Sequence, residues 1–199
     1  MAQWLNMDMA AMPQFFRELE LVCNSFCENQ SAMDSAFNTV QVTWRDRNAV
    51  ITHDRLEETA RDISRFYDEL NQSIEYILRV CNNRAEYIDY GKLTAPHIAT
   101  FTIGITEITG MDSVINTRPE TLEEFKAALD KYVQALVDNV ERLRALYANI
   151  GESWDDAQYV KFGEALAAFR NRIQAQVDVL CKISAFLRSR IDILRRSDI

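Results

Sequence analysis

Apolar residues recur at every third or fourth position along four stretches of the chain, at about residues 13–41, 46–88, 119–149 and 155–195. This spacing places the apolar side chains on one face of an α-helix. The longest of these helices would be roughly 60 Å long, and such helices are stable only when their apolar faces are packed. The pattern therefore predicts an all-α protein, a four-helix bundle made of two antiparallel helical hairpins.

The two hairpins occupy residues 1–90 and 119–199, and the connecting segment at 91–118 differs from them in composition. It contains three of the five glycines and is rich in Ile and Thr, with a loosely alternating β-branched stretch at 98–108 that Gly104 interrupts. A flexible Gly/Ser tether would not carry these apolar residues. We expect an extended segment or a small hairpin that packs on the helices, and a disordered connector is the alternative.

The two halves of the chain repeat each other at an offset of 110 residues. Residues 37–63 read FNTVQVTWRDRNAVITHDRLEETARDI, and residues 147–173 align with them without a gap as YANIGESWDDAQYVKFGEALAAFRNRI. Chance matching of two apolar periods can align Leu and Ile, but it does not readily also align [ST]-Trp-x-Asp. We therefore interpret each half as a helix, a tight turn and a longer helix.

The repeated turn motif has the pattern of a capping box, a Ser or Thr followed three residues later by an acidic residue. The pattern predicts that Thr43 and Ser153 are the N-caps of the second and fourth helices. Asp46 and Asp156 would then bond back to the capping residue and complement the positive end of the helix dipole.

Within the same motif, Trp44 and Trp154 would occupy the first helical position and pack across the corner of each hairpin. Corner packing is the interpretation that we favour for both residues. The alternative is that a partner protein grips the turn, because Trp is a common hot-spot residue of interfaces.

These turns are the feature by which each half resembles the WXG family, the ESX-like helical hairpins of type VII secretion systems. The resemblance covers roughly residues 15–88 and 122–194. It implies two hairpins fused into a covalent pseudo-dimer, which acts as a secreted substrate, an adaptor or a chaperone-like partner. The chain departs from the family pattern in two ways. Asp46 and Asp156 replace the Gly of Trp-x-Gly, and no Tyr is followed four residues later by Asp or Glu, as in the family's export signal.

Charge and hydropathy limit the kinds of partner. The 22 Lys and Arg against 30 Asp and Glu give a net charge of −8, which disfavours nucleic acid and anionic membranes as partners. No apolar stretch is long enough to insert into a membrane, and the N-terminal MAQWLNMDMAAM lacks the positive region of a Sec signal peptide. We expect a cytoplasmic protein, exported through a type VII-like system if the resemblance extends to transport.

Little in the sequence points to catalysis. Cys23 and Cys27 have the spacing of one helix face, but neither His53 nor His97 forms a spaced ligand pair with them. Buried free Cys commonly behaves as a small apolar residue. No nucleotide-binding, metalloprotease or nucleophile motif occurs in the sequence. We expect no metal, no cofactor and no turnover; the alternatives are a cytoplasmic scaffold unrelated to secretion and, less favoured, a helical-bundle enzyme.

Two further regions are candidates for contact with a protein partner, because flexible Met side chains and strand-like segments suit such contacts. Their residues are Trp4, Met7, Met9 and Met12 in the N-terminal region, and Phe101, Ile103 and Ile105 in the connecting segment. The alternative for the Met-rich region is packing onto its own bundle. We expect the chain itself to be a monomeric pseudo-dimer.

Overall fold

The computed structural model describes residues 6–88, 91–110 and 117–197, and it confirms the all-α fold. The four helices begin and end within two residues of the predicted bounds. The elements are β1 (Asn6–Met7), α1 (Met12–Val40), α2 (Arg47–Ile88), α3 (Pro119–Ile150), β2 (Trp154–Asp155) and α4 (Ala157–Ser197). None of the helices in these ranges is long and apolar enough to cross a membrane.

The two hairpins, α1–α2 and α3–α4, pack against each other as one bundle. The closest backbone approaches are between α1 and α3, between α3 and α4, and between α2 and α4. Across α1 and α3 the Tyr132 hydroxyl donates to Gln30 Oε1 at 2.6 Å, and the rings of Phe37 and Phe125 lie 5.7 Å apart. These pairs run in opposite directions along the two helices, so α1 and α3 are antiparallel.

The core runs the length of the bundle and is lined by the predicted apolar stripes. At its centre Phe66 of α2 stacks on Phe169 of α4 at 4.2 Å, and Phe26 of α1 packs edge-on against the same ring at 5.9 Å. Each buried side chain of this size contributes about 1.5–3 kcal/mol to folding. This packing explains how helices of 42 and 41 residues stay folded.

The connecting segment forms neither a helix nor a strand between residues 91 and 110, so the predicted hairpin is absent from this described part. The segment is extended along α1 and packs against the core through Leu93, Ile98, Phe101, Ile105 and Ile108. The extended alternative of the prediction is therefore the one that this structure contains. The only sheet among the described residues is a two-residue antiparallel bridge between β1 and β2.

Candidate interaction sites

Asp46 is the N-cap of α2. Its Oδ1 accepts hydrogen bonds from the backbone N–H groups of Asn48 at 2.8 Å and Ala49 at 3.0 Å. The prediction that Thr43 caps this helix is wrong, since its hydroxyl donates instead to the Val40 carbonyl oxygen at the end of α1. Six residues separate α1 from α2, and the carboxylate next to the new helix satisfies its free N–H groups and complements its dipole.

The second corner repeats this arrangement with Asp156 as the N-cap of α4. Its Oδ1 accepts from the backbone N–H groups of Gln158 at 2.7 Å and Tyr159 at 2.9 Å. The prediction that Ser153 caps this helix is also wrong. The carbonyl oxygen of Ser153 instead accepts from the N–H of Asp8 at 2.7 Å, beside the β1–β2 bridge.

Asp156→Ala should lower the free energy of unfolding by about 0.5–2 kcal/mol, because it removes the N-cap of α4. The variant also loses the hydrogen bond from the Tyr76 hydroxyl to Asp156 Oδ2, which is 2.9 Å long. Ser153→Ala should have almost no effect, since the contact that this residue makes is through its backbone. Urea denaturation of the two variants is the measurement. Equal destabilisation by both would contradict the assignment of the cap.

Both corner tryptophans are buried, each 1 % exposed. The Trp44 ring lies 5.8 Å from Phe125, and the Trp154 ring lies 5.5 Å from Tyr159 and 6.2 Å from Phe162. Each Trp comes two residues before the capping Asp, so the prediction that it occupies the first helical position is wrong. Burial on this scale supports the corner-packing interpretation. A partner would reach either indole only if the corner opened.

The Met-rich N-terminal region packs onto its own bundle, as one of the two alternatives predicted. Asn6–Met7 pairs with Trp154–Asp155. Met7, Met9 and Met12 are all buried, at 6 %, 8 % and 0 % exposure. This region therefore covers the second corner, and the prediction that it contacts a partner stays untested. Trp4 lies outside the described residues.

A row of polar side chains on α1, which we call the α1 ladder, holds the backbone of the connecting segment. In each pair a side-chain oxygen accepts from a backbone N–H at 2.7–3.0 Å; the pairs are Glu20–His97, Asn24–Ala99, Asp34–Gly104 and Asn38–Thr106. The connecting segment and α1 run in the same direction. Two residues of extended chain span roughly 6.6 Å and four residues of helix about 6 Å, which matches the spacing within the first two pairs and within the last two pairs. The middle step, five residues of the segment against ten of the helix, keeps nearly the same ratio.

The three apolar residues predicted to contact a partner from this segment have different surroundings. Phe101 is half-buried, with its ring 5.3 Å from that of Tyr67 on α2, and Ile105 is half-buried against the core. Ile103 alone among the three is exposed, at 39 %. Four of the segment's backbone N–H groups already bond to the α1 ladder in this arrangement.

Asp34 joins the ladder to a buried polar network between α1 and α3. Its Oδ1 accepts from Gln30 Nε2 at 2.7 Å, and Gln30 in turn accepts from Tyr132. Burial raises the pKa of Asp34, and the hydrogen bonds from Gly104 N–H and Gln30 partly oppose that rise. The sequence analysis missed this network. The sequence does contain one sign of the network: the apolar stripe of the first helix is interrupted at Gln30, which is a polar residue at a buried position.

Because the pKa of Asp34 is raised, we expect the free energy of unfolding to depend on pH. The folded protein binds this proton more tightly than the unfolded chain, so the contribution of Asp34 to stability falls as pH rises above its ordinary pKa of about 4. Asp34→Asn removes the buried charge and keeps one oxygen, which can accept from Gly104 N–H, but its NH2 group then faces Gln30 Nε2 and the hydrogen bond from Gln30 is lost. We expect a smaller loss of stability between pH 4 and pH 7 in this variant than in wild type.

Urea unfolding at a series of pH values tests this expectation, with Asp138→Asn at an exposed site of α3 as the control. The control should leave the pH dependence unchanged. An Asp34→Asn variant with the same pH dependence as wild type would contradict it.

All four cysteines lie in the described ranges as thiols, without a disulfide. Burial raises the pKa of Cys23 to about 12, so this thiol stays protonated at neutral pH. Cys27 Sγ is 3.5 Å from the Tyr67 hydroxyl, and Cys181 is exposed. Across residues 6–88, 91–110 and 117–197 no three His, Cys, Asp or Glu side chains are grouped as a metal site would need.

Comparisons of the chain with protein-family models, with curated proteins and with solved structures find no match. The resemblance to the WXG family therefore depends on the residues of the two corners.

Proposed function

We propose that this protein is a non-enzymatic interaction component that resembles a fused pair of WXG hairpins and acts as a secreted substrate, an adaptor or a chaperone-like partner. The observation that carries the proposal is the corner built twice in one chain. Each corner has a buried Trp two residues before an Asp N-cap. Because the hairpins pack antiparallel, the two corners lie at opposite ends of the bundle, as in a pseudo-symmetric dimer.

The use of the interior supports docking as the mode of action. The predicted stripes fill the core with apolar side chains, and the polar groups of Gln30, Asp34 and Tyr132 bond to one another inside it. Fully satisfied buried networks of this kind make a core rigid and specific. Such a bundle presents its binding chemistry on its surface.

One exposed apolar surface, the α2/α4 patch, suits contact with a protein partner. Its apolar residues are Phe186 and Ile193 of α4, which are 38 % and 52 % exposed. Phe186 and Ile193 line a shallow groove together with Asp46, the N-cap of the first corner. Ile51, which is 41 % exposed, lies one turn along α2 from Asn48, and Asn48 lines the same groove as Phe186 and Ile193. Clustered exposed apolar residues with polar surroundings are typical of interaction sites.

The patch belongs to one end of the bundle only. At the offset of 110, its three positions correspond to Lys161, Tyr76 and Asn83. Among the described residues the second corner therefore does not repeat these three apolar side chains, although Val160 beside it is 51 % exposed. This asymmetry supports a single partner site near the first corner.

The experiment is recovery of partners from the native host by the tagged full-length protein, followed by mass spectrometry. The charge-inserting double variant Phe186→Glu/Ile193→Glu should recover the partner about ten-fold less than wild type. Leu21→Lys is the matched control, because Leu21 is also exposed, at 62 %, and the second repeat has Lys131 at that position. Equal recovery by all three proteins would remove the patch from the proposal.

Export is tested separately, by comparing the culture medium with the cell lysate when the type VII apparatus is present and when it is inactivated. Loss of the protein from the medium on inactivation supports the secreted role.

The alternative is a cytoplasmic scaffold unrelated to secretion. The absence of a Tyr-x-x-x-Asp/Glu signal from the sequence and the four thiols without a disulfide favour it, because cytosolic thiols are kept reduced. Retention in the cell under both conditions would select this alternative.

A further inference from the structure

We propose that the α1 ladder is a binding site for an extended segment of a partner protein, and that residues 97–109 occupy it in cis as a pseudo-ligand. The site is distinct from the α2/α4 patch. The proposal does not depend on the resemblance to the WXG family.

The ladder recognises backbone groups. Each of its four side chains accepts from a backbone N–H of the segment, and Asn38 Nδ2 also donates to the Gly104 carbonyl oxygen at 2.8 Å. Every residue except proline carries both backbone groups. A row of such side chains at helical spacing therefore suits any extended chain that fits beside α1.

The occupant in cis also indicates which side chains the site accepts. A Cβ atom on Gly104 would lie 3.1 Å from Asp34 Oδ2, so any larger residue opposite Asp34 would require the carboxylate to shift by a few tenths of an ångström. Phe101, three residues earlier, packs against Tyr67, and Ile105 follows directly against the core. The partner segment should therefore be extended, with an aromatic residue, two further residues, Gly and an aliphatic residue in that order.

The segment is attached in a way that permits exchange. Among the described residues, the hydrogen bonds between 91–110 and the helices join a side chain to a backbone group or to another side chain; none joins backbone to backbone. Most residues of the segment are exposed. The residues that pack on the core, among them Phe101 and Ile105, are only partly buried, and none of residues 91–110 is fully buried. Segments without fully buried residues open more readily than the core helices.

The second hairpin does not repeat the side chains of the ladder. At the offset of 110 the four ladder positions are occupied by Asp130, Gln134, Arg144 and Ala148. In the second hairpin Asp130 bonds to the side chains of Lys126 and Ser184 instead. The ladder is therefore a property of the first hairpin alone, which supports a role in holding an extended ligand.

The test uses the full-length protein and a fluorescent synthetic peptide of residues 97–109, HIATFTIGITEIT. Gly104→Val in the chain should loosen the segment in cis, while Gly91→Val is the matched control, since a Cβ there meets nothing within 4 Å. Fluorescence anisotropy should show that the peptide binds Gly104→Val about ten-fold or more tightly than it binds wild type or the control, because the competing segment is displaced.

Two further measurements identify the ladder as the site. Adding Asn24→Ala and Asn38→Ala to Gly104→Val should reverse the gain in affinity, and a peptide with Val in place of its Gly should not bind. Hydrogen exchange of residues 97–109 reports release of the segment in the Gly104→Val chain.

Several results would overturn the proposal. One is release of the segment without any gain in peptide affinity, and another is unchanged slow exchange in the Gly104→Val chain. A gain that survives loss of both asparagines would place the site elsewhere. A wild-type dimer that Asn38→Ala abolishes would make a second copy of this chain the occupant, and would overturn the assignment to a different protein.

Discussion

Trp154→Ala is expected to lower the free energy of unfolding by about 3–5 kcal/mol, the range for removing a large buried aromatic side chain. The indole is 1 % exposed and fills the second corner between Tyr159, Phe162 and the β1–β2 bridge. The truncated side chain would leave a cavity that the two helix ends cannot close. Denaturant unfolding followed by circular dichroism measures the loss.

Trp154→Phe is the informative control. The Trp154 Nε1 atom is buried and has no hydrogen-bond partner among the described residues, so replacing the indole with a phenyl ring removes an unsatisfied donor. We expect this variant to lose less than half as much stability as Trp154→Ala. If Trp154→Ala kept full stability but abolished recovery of a partner, the indole would be an interface residue and the corner-packing interpretation would be wrong.

The largest expected effect comes from separating the halves. Residues 1–90 and 119–199, expressed apart, should each fail to form a cooperatively melting monomer. In the full chain, Phe26 and Phe66 of the first hairpin pack on Phe169 of the second. An isolated hairpin would expose that apolar face to water, and a two-helix unit cannot bury it alone.

Size-exclusion chromatography and thermal melts of each fragment are the measurements, with the equimolar mixture as the control. Mixing should restore helicity and a cooperative transition, because the two faces are complementary. Two folded, monomeric fragments that melt cooperatively on their own would contradict the fused pseudo-dimer.

Local periodicity was sufficient to predict the helices. The four bounds are correct to within two residues because apolar spacing directly reports which face of a helix is buried. The repeated [ST]-Trp-x-Asp motif also located both corners correctly. The prediction of the capping residues was wrong. Thr43 and Ser153 fit the sequence pattern of a capping box, but each lies four residues before the first residue of the helix that it was predicted to cap.

The candidate sites were less accessible to sequence reasoning. Glu20, Asn24 and Asn38 of the α1 ladder are partly exposed polar residues, a pattern that ordinary surface residues share, and Asp34 is a buried polar residue, 5 % exposed. Their partners are 66 to 77 residues away along the chain. The spacing of residues within one helix or one segment does not predict a hydrogen bond between residues so far apart in the sequence.

The sequence by itself therefore determined the all-α class, the four helices and the duplicated corner, because these depend on contacts that repeat every few residues. The tertiary structure alone decided that Asp46 and Asp156 cap the helices, that Met7, Met9 and Met12 are buried, and that the connecting segment lies along α1. These features depend on which distant surfaces meet once the bundle has closed. Their free energies come from packing and hydrogen bonds across the fold, which the order of residues along one helix does not specify.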